Sequence, residues 1–196
     1  MTASDRDLVL QLQQGSLEAL GLLYDSYQTL VFRTALAITG DRDAANDLLQ
    51  DVFLRLFRFA GHIDPQRPLE PWLYRMTTNL SYSWIKRHHR WLRPLEDLVE
   101  WIAGSGKDTP HEAAEFNDDW RELQEGLLSL PIQQRVVIVL YYLNDLSLQE
   151  ISEILDVPVG TVKSRLHYGR IALRKSLGLL GFPEGEHLPD FNYDSP

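Results

Sequence analysis

Hydrophobic residues recur at helical spacing along most of the 196-residue chain, and no stretch shows the strict alternation of a half-buried strand. Capping residues divide this pattern into segments. Ser4 and Ser16 suit helix starts because a serine hydroxyl accepts from free amides, whereas Gly15 and Gly40 suit helix ends because glycine adopts left-handed backbone. The pattern predicts an all-α protein.

The clearest helix of the front half begins at Asp41 and is expected to stop at Gly61. Its apolar stripe comprises Ala45, Leu48, Leu49, Val52, Phe53, Leu56, Phe57 and Ala60. Because these positions follow i, i+3, i+4 spacing, they predict one broad buried face. Charged and polar side chains occupy the opposite face, and Leu54 lies there as an apolar residue off the stripe.

A second front-half helix is predicted to begin at Pro71, after a loop over residues 61–70 whose two prolines exclude regular helix. Its apolar stripe comprises Trp72, Leu73, Met76, Leu80 and Trp84, and it ends in the basic run 86–91. Single-stranded bases are bound by aromatic stacking within a positive groove. The side chains that could supply such a groove are Tyr74, Arg75, Tyr82, Trp84, Lys86, Arg87 and Arg90.

The segment from Ser147 to Leu177 predicts a helix-turn-helix. Ser147 and Glu150 form a capping box, Asp156 suits the left-handed end of the first helix, and Pro158 prevents that helix from continuing. The second helix is expected from about Val159, with Val162, Leu166, Ile171, Leu173 and Leu177 as its packing residues.

Charge on this second helix is one-sided, since residues 157–180 contain five basic residues and no acidic one. In a helix-turn-helix the start of the second helix enters the major groove of DNA. The DNA-contact candidates are therefore Thr161, Lys163, Ser164, Arg165, His167, Tyr168 and Arg170. The alternative interpretation is an antiparallel helix pair with a solvated basic face.

The net charge of −9 is unusual for a DNA-binding protein, but its distribution is uneven. Residues 92–117 hold six acidic and two basic residues, and residues 181–196 hold four acidic residues and no Lys or Arg. The first segment, broken by glycines and Pro110, is predicted to be an acidic flexible linker between two small helical domains. The second is predicted to be an acidic tail.

Composition narrows the function classes further. The absence of cysteine excludes disulfides and thiolate chemistry, and no catalytic constellation, metal site or cofactor-binding loop is recognisable, so we expect neither an enzyme nor a cofactor. No apolar run is long enough to cross a bilayer, and the polar N-terminus lacks a signal-peptide core. These features predict a cytoplasmic protein.

The back half resembles region 4 of bacterial sigma factors. The similar segments are Leu130–Pro131, Gln134–Val137, Leu146–Ile151 and Val159–Leu166. In the front half, Asp47–Leu56 is similar to the segment that binds the polymerase clamp. Trp72–Arg75 with Asn79–Leu80 is similar to the segment that melts promoter DNA. In so short a chain, these motifs resemble the extracytoplasmic-function (group 4) sigma factors.

The resemblance implies a domain division with assigned roles. Residues 1–91 would bind the polymerase clamp and recognise and melt the minus-10 element, and residues 118–180 would bind the polymerase flap and the minus-35 element. Residues 92–117 would be the linker and 181–196 the tail. Promoter DNA and core RNA polymerase would be the partners, and a cognate anti-sigma factor is common in this group.

The resemblance also assigns candidate residues. The polymerase-binding set is Asp47, Gln50, Asp51, Leu54, Arg55 and Arg58. The minus-10 set comprises His62, Asp64, Gln66 and Arg67 in the loop that would hold a flipped base, with Tyr74, Arg75, Asn79, Tyr82, Lys86, Arg87 and Arg90 on the next helix. These assignments rest on family analogy.

Two other functions compete. A dimeric helix-turn-helix regulator that binds an operator would explain residues 147–177 alone, and would leave the 47–58 match and the aromatic, basic 72–91 helix without a purpose. A protein-interaction module would use its helical faces only on proteins, and it predicts that Lys163→Glu and Arg165→Glu leave function intact.

Overall fold

The computed structural model describes residues 4–91 and 118–178, and within these two ranges all regular structure is helical, as predicted. Eight α-helices occur there: α1 Asp5–Gln13, α2 Leu17–Thr39, α3 Arg42–Arg58, α4 Glu70–Trp91, α5 Asp118–Leu128, α6 Ile132–Ile138, α7 Leu148–Leu155 and α8 Val159–Ser176. A 3₁₀ turn, Ala60–His62, follows α3, and a π-helical turn, Val139–Leu143, continues α6. The predicted linker and acidic tail lie outside the described residues.

The caps predicted from the sequence are confirmed. The Ser4 and Ser16 hydroxyls accept from the amides of residues three positions later, and Gly40 ends α2 in the left-handed region at φ +73°. Asp41 Oδ1 accepts from the Ala44 amide at 2.8 Å and so begins α3. Local capping chemistry therefore fixes the boundaries of the first three helices.

Helix α3 is shorter than its apolar stripe predicts. It ends at Arg58 rather than running to Gly61, and Phe57, expected in the core, is 37% exposed. The physical reason lies in α1, where the Gln13 side-chain amide donates to the carbonyls of Ala60, at 3.1 Å, and Ile63, at 2.8 Å. These bonds hold the 3₁₀ turn, which takes the chain out of the helical path before Phe57 can be covered.

Helices α1 to α4 form a front lobe around one hydrophobic core. The long α2 packs against both α3 and α4, and the side chains of Leu12, Leu23, Val52, Leu56 and Leu73 are fully buried between them. Each fully buried aliphatic side chain contributes about 1.5–3 kcal/mol of hydrophobic stabilisation. This lobe therefore presents α3 and α4 on a rigid base.

The back lobe, α5 to α8, shares its hydrophobic core with the front lobe. Ile38, Tyr74 and Ile85 of the front lobe belong to the same buried cluster as Val137 and Ile151 of the back lobe. One face of α4 packs on the front core while the face with Tyr74 and Ile85 packs on the back lobe, so α4 is covered on two sides. The sequence predicted two linked domains, and the structure shows that they pack together.

Arg135 is the one charged residue among the buried side chains of the described ranges, at 6% exposure. Its guanidinium donates to the carbonyls of Ile38 at 2.7 Å, Leu128 at 2.6 Å and Leu130 at 3.1 Å. Burial lowers the pKa of Arg135. These carbonyls lie at the ends of α2 and α5, which carry partial negative charge, so the arginine joins the two lobes through helix C-termini.

Further hydrogen bonds cross between the lobes, among them one of 3.4 Å from the Gln124 side-chain amide to the Gly40 carbonyl. Arg75 donates from Nε to the Ile154 carbonyl at 3.0 Å and from Nη2 to the Glu153 carbonyl at 2.6 Å, and Thr34 Oγ1 donates to Asn144 Oδ1 at 3.2 Å. Both Arg75 bonds go to backbone oxygens in the last turn of α7. An arginine at that position complements the helix dipole.

Candidate nucleic-acid interface

Helices α7 and α8 form the predicted helix-turn-helix. The Ser147 hydroxyl accepts from the Glu150 amide at 3.2 Å, and the Glu150 carboxylate accepts from the Ser147 amide at 2.8 Å. Hydrogen bonding of the Glu150 carboxylate to the Ser147 side chain, and then to the Ser147 backbone amide, lowers the pKa of Glu150. Asp156 then ends α7 in left-handed backbone at φ 54° and ψ 49°, and the Ser152 hydroxyl secures the turn by donating to the Val157 carbonyl at 2.6 Å. The predicted capping box and left-handed end are confirmed.

Replacing Ser147 with alanine is expected to lower the free energy of unfolding by about 1 kcal/mol, because the α7 N-terminus loses its hydroxyl acceptor. Urea unfolding followed by circular dichroism measures the change. Ser164→Ala is the matched control, since its hydroxyl only donates to the Gly160 carbonyl one turn earlier in an exposed part of α8. An equal effect of the two substitutions would contradict the capping assignment.

The buried side of α8 differs from prediction at one position. Val162 and Leu166 are buried as expected, but Ile171 is 53% exposed. Gly169 takes the buried position instead, and a Cβ there would meet Ile138 Cγ1 at 3.0 Å. Helical periodicity explains the correction: positions 162, 166, 169 and 173 follow 3.6-residue spacing, whereas 171 falls on another face.

The predicted minus-35 residues mostly share the solvent side of α8. Lys163, Ser164, His167 and Tyr168 are exposed, whereas Thr161 and Arg165 are half-buried. Arg170 differs from these, because its guanidinium lies 5.5 Å from the ring centroids of both Tyr141 and Tyr142. It therefore sits against α6 and its π-helical continuation rather than on the exposed basic face.

The predicted base-holding loop lies at the surface of the front lobe, with His62, Asp64, Gln66 and Arg67 all exposed. Asp64 shapes this loop. Its Oδ1 accepts from the Gln66 amide at 2.9 Å, and its Oδ2 lies 3.5 Å from Arg67 Nε. The arginine is 83% exposed at its side chain, so this ion pair contributes little stability and leaves Arg67 available to an anion.

Along α4, the other minus-10 candidates divide into an accessible and a covered group. Asn79, Tyr82, Lys86 and Arg87 are exposed, and the side chain of Arg90 lies outside the described residues. Tyr74 is only 6% exposed, and its pKa is raised by burial, with smaller contributions from nearby Glu70 and Glu150. Tyr74 is therefore covered, whereas Arg75 is exposed but has two guanidinium nitrogens bonded to the last turn of α7 in the packed arrangement.

A crevice of about 680 Å³ separates the loop from the helix-turn-helix. His62, Arg67 and Trp72 line it from the front lobe, and Glu150 and Glu153 line it from α7. The loop predicted to hold a base thus faces the first helix of the predicted minus-35 module. Sequence patterns gave no signal for this juxtaposition, because the acceptors of Arg75 are backbone carbonyls.

The predicted polymerase-binding residues form a single exposed surface on α3. Asp47, Gln50, Asp51, Leu54 and Arg58 are exposed, and Arg55 is half-buried. Leu54 is 65% exposed and is the apolar member of this otherwise polar and charged set. Such an isolated apolar residue is a suitable anchor for a partner helix.

The described residues offer neither a metal-binding cluster nor a membrane-spanning helix. No three His, Asp or Glu side chains gather there in an arrangement that could hold a metal ion. Within the same ranges, no helix combines the length and hydropathy needed to cross a membrane.

Comparison with known proteins decides the family. Residues 23–91 match the family model of Sigma-70 region 2, and residues 120–173 match that of Sigma-70 region 4. The chain is 34% identical over 180 residues to the ECF RNA polymerase sigma factor SigW of Bacillus subtilis, covering 86% of this chain and 94% of that protein. The chain belongs to the extracytoplasmic-function (ECF) RNA polymerase sigma factors.

Other similar proteins agree with this membership. The ECF sigma factor SigL of Mycobacterium tuberculosis is 32% identical over 160 residues, with 81% of this chain and 89% of that protein covered. CnrH, solved in complex with the cytosolic domain of CnrY, has a TM-score of 0.65 at 23% identity, covering 89% of this chain and 97% of that one. RpoE of Bartonella quintana, solved with the anti-sigma factor NepR, also has a TM-score of 0.65, at 20% identity over 83% of this chain and 99% of that one. These two solved structures therefore show a similar helical fold.

Proposed function

We propose that this ECF sigma factor directs core RNA polymerase to promoters in the cytoplasm and initiates transcription there without catalysing a reaction of its own. Residues 1–91 would bind polymerase and recognise and melt the minus-10 element, and residues 118–180 would recognise the minus-35 element. The observation that carries the proposal is the presence of two separate surfaces. These are an exposed charged face with Leu54 on α3 and an exposed basic face on α8.

The minus-35 contacts would come from the start of α8. Its N-terminus is directed outward by the Pro158 turn, and Lys163, Ser164 and His167 follow it on the solvent side. Lysine and arginine neutralise phosphates, while serine, threonine and histidine can bond to base edges. We assign Arg165 and Thr161 to the edge of this surface and place Arg170 outside it.

The minus-10 contacts would come from the 62–67 loop and the exposed part of α4. Tyr82 can stack on an unpaired base, and Lys86 and Arg87 can follow the phosphates on either side. Tyr74 and Arg75 would join them only after the lobes separate, because both are engaged with the back lobe in the packed arrangement.

Polymerase would bind on the α3 face and, through the flap, on the back lobe. The charged residues around Leu54 would steer the encounter and fix its register, while Leu54 supplies the desolvated centre. Because CnrH and RpoE were solved with protein partners, one of them an anti-sigma factor, a cognate anti-sigma factor is a further proposed partner.

Promoter geometry requires that the lobes separate. The minus-35 and minus-10 elements lie about 25 base pairs apart, which is about 85 Å at about 3.4 Å per base pair. A compact chain of this size is only about 40 Å across. The 26 residues from 92 to 117 can reach at most about 90 Å when extended, so they are long enough to bridge the two elements.

The acidity of the chain is consistent with dependence on polymerase. A protein of net charge −9 gains little from counterion release on DNA, so each lobe alone should bind promoter DNA weakly. Polymerase would hold both lobes on one duplex, where two weak contacts combine through effective concentration.

Run-off transcription with purified core polymerase tests the proposal. Genomic fragments are transcribed with core alone and with core plus this protein, and start sites are mapped. We expect new, discrete start sites that require the protein. Binding to DNA without initiation would instead support the dimeric operator-binding regulator, and tight promoter binding by the isolated protein at physiological salt would contradict the division of labour.

A further inference from the structure

An apolar groove lies on the back lobe, apart from the α3 face and from the exposed basic side of α8. It measures about 340 Å³ and runs between α5, the π-helical turn after α6, and the end of α8. Leu123, Leu127, Leu143, Leu173 and Leu177 are among the residues that line it. Most of the described lining residues are apolar, so the groove suits an occupant with apolar side chains.

The edge of this groove is positively charged. Among the described residues that line it, Arg170 and Arg174 are the charged ones. The Nε of Arg170 is buried and has no hydrogen-bond partner within the described residues. A buried donor without an acceptor is destabilising, so the groove suits an occupant that carries both apolar side chains and oxygen acceptors.

The chain itself continues from the groove. Leu177, a lining residue, is followed by Gly178 in left-handed backbone at φ +65°, and the Gly178 amide donates to the Lys175 carbonyl at 3.3 Å. This is the geometry of a Schellman end, in which the next residue turns back and contacts the side chain about one turn into the helix. If the chain follows this motif, the corresponding residues would be Leu179 and Leu173, and Leu173 lines the groove.

The residues that follow have the matching composition. Leu179, Leu180 and Phe182 are apolar, and between positions 183 and 196 there are four acidic residues and no Lys or Arg. We propose that residues 179–196 dock back onto the back lobe, with Leu179, Leu180 and Phe182 in the groove and the acidic residues at Arg170 and Arg174. The tail would then be a resident occupant that any protein partner of this groove must displace.

The linker, residues 92–117, is the competing occupant, since it is also acidic and contains Leu95, Leu98 and Ile102. Two observations favour the tail. The left-handed Gly178 at the end of α8 would turn the first tail residue toward Leu173, and the tail needs no closure of a long loop to reach the groove. The promoter-spanning role proposed for the linker would in addition draw it away from the groove.

Disulfide trapping in the full chain tests the docking, because the natural sequence contains no cysteine. Gly181→Cys leaves the three apolar tail residues intact, and it is paired with Tyr142→Cys at the groove. The matched control pairs Gly181→Cys with Ile171→Cys, because residues 142 and 171 are 51% and 53% exposed but only the first lines the groove. Under mild oxidation we expect the groove pair to close at least about tenfold faster.

A second variant separates docking from mere proximity. Leu179→Ser, Leu180→Ser and Phe182→Ser together, added to the groove pair, should reduce its rate to that of the control, with circular dichroism unchanged. Equal rates for the two pairs without these serines would overturn the proposal. The proposal would also be overturned if the disulfide between Leu98→Cys and Tyr142→Cys closed faster than that between Gly181→Cys and Tyr142→Cys. That result would assign the groove to the linker.

Discussion

Replacing Arg135 with methionine is expected to lower the free energy of unfolding by about 3 kcal/mol. The guanidinium donates three hydrogen bonds to buried or half-buried carbonyls, and hydrogen bonds from a charged donor contribute about 1.5–3 kcal/mol each. The methionine side chain has a similar length to that of arginine, but it leaves those carbonyls without a hydrogen-bond donor. Burial of the charge lowers the pKa of Arg135 and costs free energy, which offsets part of the stabilisation from the hydrogen bonds. The expected loss of stability is therefore close to the upper value for one hydrogen bond from a charged donor.

Urea unfolding measures the Arg135→Met effect, with Arg58→Met as control. Arg58 is exposed on α3, so its substitution should change stability by less than about 0.5 kcal/mol. Because the acceptors belong to both lobes, amide hydrogen exchange should also quicken at the end of α2 and the end of α5. A variant as stable as the parent protein, with unchanged exchange, would show that desolvation cancels the hydrogen bonds.

Reversing charge at Lys163 and Arg165 together is expected to reduce promoter-dependent initiation about a hundredfold while polymerase binding stays within about twofold. Each reversal removes a cation from the DNA side of α8 and adds an anion that phosphates repel, at about 1–3 kcal/mol per contact. Run-off transcription measures initiation, and pull-down by core polymerase measures binding. Glu125→Lys, on α5, adds charge without touching the predicted DNA surface and is the control.

Leu54→Asp is expected to give the opposite result in the same two assays, because it should impair polymerase binding. It places a charge in the apolar centre of the α3 face, so polymerase binding should fall about thirtyfold, as for loss of a central interface residue. Initiation should fall with it, whereas the stability of the isolated protein should be nearly unchanged. If Leu54→Asp and the α8 double reversal both impaired only DNA binding, the assignment of the two surfaces would be wrong.

Local chemistry made much of the fold predictable from the sequence. The caps at Ser4, Ser16 and Ser147 and the left-handed Asp156 depend on residues within three or four positions, so their signals are complete in the sequence. Helical periodicity likewise predicted the buried faces of α3 and the start of α8. These features need no knowledge of distant parts of the chain.

The errors concern contacts between distant residues. Phe57 is exposed because Gln13 holds the following turn, and Tyr74 is covered because the back lobe packs on α4. The apolar side chain of Ile171 predicts a packing position, although helical spacing favours Gly169 at the buried face. The role of Arg135 in joining the lobes could not be predicted, because it depends on the Ile38 carbonyl, which is distant in sequence, as well as on the nearby carbonyls of Leu128 and Leu130.

The bonds from Arg75 to the last turn of α7 have a thermodynamic consequence. If the packed form is more stable than the separated form by about 2 kcal/mol, only about 3% of molecules are separated, and the apparent promoter affinity falls by the same factor of about thirty. Any partner that binds the separated form would recover that affinity without touching DNA. A small molecule that filled the crevice of the packed form would lower the promoter affinity in the same way. Transcription would then be controlled by the fraction of molecules in the separated form rather than by a direct contact with DNA.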